Sequence, residues 1–304
     1  MLLYTHAACL NHLPGPGHPE SPARLRAVLE CLDNDRFAVL DRIEAPRATR
    51  AQLERVHAGA LIDDVAAAAP DEGFSQIDAD TIMSPDSLEA AARAAGAVCA
   101  AVDALLDGRA TRAFCAVRPP GHHATHDTAM GFCLFNNIAV GAAHALSRGL
   151  SRVAIVDFDV HHGNGTQDIF YNDGRVLYAS THQMPLYPGT GAAAEHGVGN
   201  IVNAPLPPAS SSFAFREACR EIILPAVERF RPQLVMISAG FDAHYLDPLA
   251  NLNLGAEDYE WITRELVDIA RKHADGRVVS SLEGGYSLTA LRQSTVAHVA
   301  ALLD

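Results

Sequence analysis

The sequence predicts an α/β fold: a single domain over residues 1–304 with a central, mostly parallel β-sheet flanked by helices. Two patterns lead to it. Short apolar runs rich in β-branched residues recur along the chain without apolar–polar alternation, as strands covered on both faces do. Between them lie longer segments of helical composition, and such alternation builds a parallel sheet. The strands are expected at AFCAV (113–117), VAIVDF (153–158), VLYAS (176–180), LVMISAG (234–240) and VVSSLEG (278–284). Helices are expected at 21–33, 87–108, 136–148, 212–230 and 256–274. The second is Ala-rich, with Ser84 or Ser87 placed to cap its start and Gly108 to stop it.

Bulk composition narrows the function. Hydrophobic residues are 49% and charged residues 19%, the balance of a packed globular protein. The net charge of −13, with no basic stripe, argues against a protein that holds nucleic acid by its phosphates. No run approaches the roughly 18 apolar residues of a membrane span. The N-terminus MLLYTHAACLNH lacks a basic n-region, so no secretory signal is read and a cytoplasmic location is expected. The six cysteines include no two within ten residues of each other. That spacing suits buried thiols better than a disulfide framework or a Cys-ligated zinc site.

The polar residues carry more. Each expected strand is followed on its C-terminal side by a polar cluster: RPPGHHA (118–124), DFDVHHGNG (157–165), STH (180–182), GFDAH (240–244) and EGGY (283–286). In open α/β sheets ligands bind beyond the carboxyl ends of the strands, so these clusters are expected to converge. Asp159 and His161 are two apart, and on an extended segment both side chains point to one side. With Asp242 they would make a metal site with a position left for water or substrate. The spacing alone equally allows Asp159 and His161 simply to bond each other. His122 and His123 follow a rigid Pro-Pro-Gly turn and suit proton transfer near neutral pH, with Asp157 and Asn164 available to set their tautomers. Tyr286 follows two glycines that permit close approach to a ligand; it would donate to a carbonyl oxygen gaining charge, or merely pack a loop. No G-x-S-x-G elbow and no P-loop is present, which lowers serine catalysis and nucleotide hydrolysis.

The segments HPESPARLRAV (18–28), RPPGHHA, GFCLFNN, DFDVHHGNGTQ, YPGTG, SAGFDAH and LEGGY, in this order, resemble the zinc-dependent histone deacetylase family and its arginase–deacetylase fold. Asn164 is similar to the class II branch. The resemblance implies removal of acetyl or other acyl groups from lysine side chains, with Zn²⁺ (or Fe²⁺) on Asp159, His161 and Asp242. It implies that His123 is the general base, assisted electrostatically by His122, with Asp157 and Asn164 orienting the pair and Tyr286 polarising the amide. It further implies a potassium or sodium ion near Asp157 and Ser180, and a narrow tunnel lined by Gly131, Phe132 and Tyr187. Arg24 resembles the arginine of an internal acetate-side cavity, and Gly285 and Leu249 complete the expected substrate contacts. The substrate would be an acyl-lysine peptide or protein, or an acetylated small amine, with no nucleic acid or membrane partner; a homo-oligomer stays open.

Three departures accompany the resemblance. Glu283 stands where many members have glycine, and its place is undetermined by the sequence. His244 and Tyr245 are bulkier than is common and are expected to narrow the tunnel rim. Leu249 stands where one polyamine-specific branch has Glu, which favours acyl-lysine over acetylpolyamine. Two other readings are weaker: a non-catalytic acyl-group binding protein, expected to lack a ligand or the tyrosine, and a dimanganese hydrolase, expected to carry more acid where Asn164 stands. His162 is expected to be structural.

Overall fold

The computed structural model describes residues 1–304. Its strands are β1 (Leu2–Thr5), β2 (Asp41–Glu44), β3 (Ser75–Gln76), β4 (Ile82–Met83), β5 (Arg112–Cys115), β6 (Val153–Asp157), β7 (Val176–Gln183), β8 (Ile201–Leu206), β9 (Leu234–Ala239) and β10 (Val278–Leu282). Eight of them form one sheet in the order β2-β1-β5-β10-β9-β6-β7-β8, every pairing parallel. β3 and β4 make a separate two-stranded antiparallel pair.

All five expected strands are present, and they are the five adjacent central ones. Every residue of β6, β7, β9 and β10 is buried, so helices cover both faces, as the unbroken apolar runs require. Within this sheet, β1, β2 and β8 are the strands not expected, and the β3–β4 pair was not expected either. β2 is polar and mostly exposed at one edge, and β8 contains Asn203 and Pro205 at the other. An edge strand need not be apolar, and it tolerates proline because one side of its ladder is unpaired. β1 was hidden by its shortness and its position at the start of the chain.

The expected helices appear as Pro22–Cys31, Ser87–Leu106, Asn137–Ser147 and Ala256–His273. Two details differ. Neither Ser84 nor Ser87 caps the long helix: its N-cap is Asp86, without a side-chain bond. The Ser87 hydroxyl instead accepts the Ser84 N–H at 2.7 Å and lies 2.7 Å from His12 Nδ1. The segment 212–230 is not one α-helix but two, Ser212–Ala218 and Leu224–Phe230, joined by a π-helical turn over Cys219–Ile223. Pro225 explains the break, since it has no N–H to give to the preceding turn.

Strand register brings the polar clusters to one level. Asp157 at the end of β6 is paired with Ser180 on β7 and Ser238 on β9. Leu282 on β10 is level with Ala239, and Ser281 with Cys115. The chain therefore leaves five neighbouring strands at nearly the same height and turns into five loops over one sheet edge.

One consequence of this packing is an acid-sensitive core. His298 is fully buried, with Nδ1 2.7 Å from Thr263 Oγ1 and Nε2 2.8 Å from Ser280 Oγ. Burial pushes its imidazole down to about 3, and burial likewise pushes His57 down to about 4. An unfolded histidine takes a proton near 6.5, so below that pH the unfolded state binds more protons than the folded one. Stability is thus fully present above about pH 6.5 and falls as the pH drops from there towards the folded values. At pH 5 each such group is expected to cost roughly 2 kcal/mol. Thermal unfolding scans at pH 7.5 and 5 check this: the midpoint should fall, and a midpoint unchanged at pH 5 would contradict neutral burial of these rings.

Candidate metal centre

Asp159 and His161 lie just beyond β6, and Asp242 just beyond β9. One ligand atom from each comes within 4.8 Å of the others. His161 Nδ1 is 3.1 Å from Asp159 Oδ1 and 3.2 Å from Asp242 Oδ2. The loops are held by the same carboxylates: Asp159 accepts the N–H of His161 (2.9 Å) and Gly284 (2.8 Å), and Asp242 accepts the N–H of Val160 (2.9 Å). Gly284 must be glycine, because a Cβ there would sit 2.1 Å from Asp242 Oδ2 and 2.5 Å from Asp159 Oδ2.

Two buried carboxylates this close need positive charge between them. Burial and then the Asp159 charge push the Asp242 carboxyl up to about 7. Burial alone would lower His161, but its bonds to Asp159 and Asp242 prevail and raise it to about 10. A divalent cation would supply that charge, and one imidazole with two carboxylates is a donor set that fits one. Both readings left open by the Asp159–His161 spacing are thus visible: the two groups do touch, and the third ligand converges on them.

The histidine pair enters from the turn after β5. His122 Nδ1 donates to Asp157 Oδ2 at 3.0 Å, and its Nε2 is 3.9 Å from Asp159 Oδ1. Burial would lower His122, yet the Asp157 and Asp159 charges outweigh it and raise it to about 10. His123 has the opposite environment. Its ring packs against His122 with centroids 4.0 Å apart and planes tilted by 46°, and its Nδ1 donates to Asn164 Oδ1 at 2.8 Å. Burial, then His122 and His161, hold His123 well below the usual histidine range, so it stays neutral with Nε2 as the basic nitrogen.

His123, Gly131, Phe132, His161, Tyr187, Leu249 and Tyr286, with Asp80 and Leu186, line a channel of about 220 Å³. Gly131 has φ +58°, and a Cβ there would lie 2.6 Å from His123 Cδ2 and 2.9 Å from the Tyr187 hydroxyl, closing the wall. The Tyr286 hydroxyl has no hydrogen-bond partner within the protein, and its ring lies under the Arg24 guanidinium at 4.8 Å. The loop bearing it is braced by Asp247, whose Oδ2 accepts the Tyr286 N–H at 2.7 Å while Oδ1 accepts that of Leu249 at 3.1 Å.

Some expected residues fall elsewhere. Arg24 and Gly285 do not line the channel: the guanidinium is fully buried, donating to the Gly285 carbonyl (2.6 Å), the Glu283 carbonyl (2.5 Å) and Glu20 (2.9 Å). His244 and Tyr245 do not narrow the rim. They stack on each other at 4.6 Å, the first buried and the second 60% exposed, outside the channel lining. Ser180 lies beside Asp157 in register, with its hydroxyl 2.9 Å from His182 Nδ1. His162 is engaged by Thr190 (2.7 Å) and Gln167 (3.0 Å), a satisfied structural histidine. Asp80, Leu186 and Asp247 were missed, because none sits in a histidine- or glycine-marked cluster. Asp80 was the most accessible of them, as an acid in the polar loop DADT ahead of the long helix.

The chain as a whole resembles known proteins. A profile of the histone deacetylase domain matches residues 18–302. A probable deacetylase of Archaeoglobus fulgidus is 41% identical over 98% of this chain and 84% of its own length. A histone deacetylase-like amidohydrolase of Pseudomonas aeruginosa is 43% identical over 92% of this chain and 80% of its own. Among solved structures, the crystal structure of the HDA15 HD domain superposes with a TM-score of 0.94 at 37% identity, covering 99% of this chain and 87% of that one.

Proposed function

The chain belongs to the histone deacetylase family, and from that premise we propose that it is a zinc-dependent deacylase acting on acyl-lysine side chains. The observation that carries the reading is the convergence of the Asp159–His161–Asp242 triad, a neutral His123 and an unpartnered Tyr286 hydroxyl on one narrow channel. A divalent metal, when bound, would polarise the amide carbonyl and lower the pKa of a water.

The protein's own groups do the rest. Phe132 and Tyr187 face an apolar stem, and Gly131 leaves it room beside His123. His123 accepts a proton at Nε2 from the attacking water and returns it to the departing amine nitrogen. Asn164 keeps the tautomer that leaves Nε2 basic. His122, held cationic by Asp157, adds positive potential beside the reacting carbonyl. The Tyr286 hydroxyl donates to the carbonyl oxygen as it gains negative charge. The same reading assigns zinc rather than iron to the triad, and a structural potassium or sodium ion to Asp157 and Ser180.

One observation favours a second reading, an acetylpolyamine amidohydrolase: Asp80 places a carboxylate in the channel wall, where it would meet a distal ammonium. Steady-state kcat/KM on acetyl-lysine peptides and acetylputrescine, with and without chelator, decides between them. Peptide turnover should lead and should stop with chelator; a polyamine advantage reverses the order of the two readings. Leu249→Glu adds an acid to the wall and is expected to move the kcat/KM ratio towards acetylputrescine by roughly 3–10-fold, the worth of a half-buried ion pair of about 1 kcal/mol. An unchanged ratio would remove Leu249 from the specificity account.

A further inference from the structure

Glu283 directly follows β10 as a fully buried carboxylate with no ion-pair partner. Isolated burial of such a group is costly, so its hydrogen bonds must offset the cost. It has three. Oε2 accepts the N–H of Gly121 at 2.7 Å and of His122 at 3.2 Å, and Oε1 accepts the Ser238 hydroxyl at 3.1 Å. The first two donors belong to the Pro-Pro-Gly-His-His turn, 162 and 161 residues away in sequence. The same turn is held from its other side by Asn137, which donates to the Pro119 carbonyl at 3.0 Å.

The next residues of the same segment reach two other parts of the site. The Gly284 N–H donates to Asp159 Oδ2, and the Tyr286 side chain lines the channel. Three groups that must agree in position are thus tied to four consecutive residues: the histidine pair by a side chain, the metal triad by a backbone N–H and the oxyanion donor directly. Arg24 fixes this tetrapeptide from behind through the Glu283 and Gly285 carbonyls.

Accordingly, we propose that Glu283 is a positioning residue for proton transfer: by accepting the Gly121 and His122 N–H groups it sets His122 and His123 in line with Asp159 and Tyr286. The inference rests on the proton-transfer role given to His123 above. It touches neither substrate nor metal, so it acts on kcat through the placement of the pair.

The test compares Glu283→Gln with Glu283→Ala in the full chain. The amide of glutamine can accept the two N–H groups through its oxygen and donate to Ser238. Alanine leaves both donors unpaired in a buried turn, a cost that the turn relieves by moving. With an acetyl-lysine peptide, alanine should lower kcat by roughly 10–100-fold with KM within about threefold, because misplacement by about 1 Å costs that much in rate. Glutamine should recover most of the loss, and zinc content should stay stoichiometric in both. Hydrogen exchange read by mass spectrometry on residues 121–124 should quicken in the alanine variant and stay slow in the glutamine variant.

Wild-type kcat in the alanine variant would overturn the proposal. So would equal losses in both variants with exchange at 121–124 unchanged, which would point to charge alone. If the alanine variant does not fold, Ser238→Ala removes only the hydroxyl that orients the carboxylate. It should quicken exchange at 121–124, and no change there overturns the proposal. A wild-type protein inactive on every acylated amine but showing this exchange pattern would sink the deacylase reading and leave Glu283 as the anchor of the turn. An active protein indifferent to Glu283→Ala would do the reverse.

Discussion

Asp159→Ala is expected to abolish turnover and to leave the purified protein without bound metal. In the proposed site Asp159 would supply one of three ligand atoms, and it accepts the His161 and Gly284 N–H groups, so its loss would remove a donor and loosen a second ligand. Two donors, one imidazole and one carboxylate, make a poor site for a divalent ion. Polarisation of the carbonyl by a metal is worth several kcal/mol, so activity should fall by about 10³-fold or more. Metal analysis of the wild type and variant, alongside turnover of an acetyl-lysine peptide, checks both parts. Stoichiometric zinc in the variant would remove Asp159 from the ligand set, and undiminished activity with chelator would remove the metal from the reaction.

Tyr286→Phe is expected to cost on the order of 10²–10³ in kcat, as loss of one oxyanion donor does elsewhere. The substitution is conservative in every other respect. The hydroxyl has no partner within the protein, while the ring keeps its contacts with Arg24 and Phe132 at 4.8 and 6.0 Å. The loop is held through its backbone by Asp247, which the substitution does not touch. Fold, metal content and KM should therefore be close to wild type, and the whole effect should appear in kcat. Near-normal turnover of acetyl-lysine peptide by this variant would sink the assignment of the tyrosine.

Comparison of these two sites shows where the sequence was informative. Asp159 and His161 were legible as a pair facing one side, because they stand two apart beyond an apolar strand, while that spacing left metal binding and a mutual bond equally open. Tyr286 was legible only by its company, since a tyrosine after two glycines is otherwise a loop residue. Glu283 was visible as an oddity but not placeable: its partners are backbone N–H groups more than 160 positions away, which have no sequence signature. Arg24 was expected at a cavity and is found bracing a loop, because a guanidinium's five donors take whatever carbonyls the fold presents. His244 and Tyr245 were expected at the rim from their bulk alone, and bulk does not say which way a side chain points.

By itself the sequence determined the five central strands, the side of the sheet on which the site lies, and the chemical types gathered there. Those follow from local rules: apolar runs make buried strands, and polar residues after them mark the carboxyl edge. Only the tertiary structure decided the distances. Strand order sets β9 and β10 between β5 and β6, so Asp242 and Glu283 come to lie among residues that precede them by more than seventy positions. It also decided that the His122 imidazole is raised and the His123 imidazole lowered from the usual histidine range, although the two are adjacent in sequence and identical in type. The physical reason is environment: one imidazole faces two buried carboxylates, while the other faces an amide oxygen and two more imidazoles.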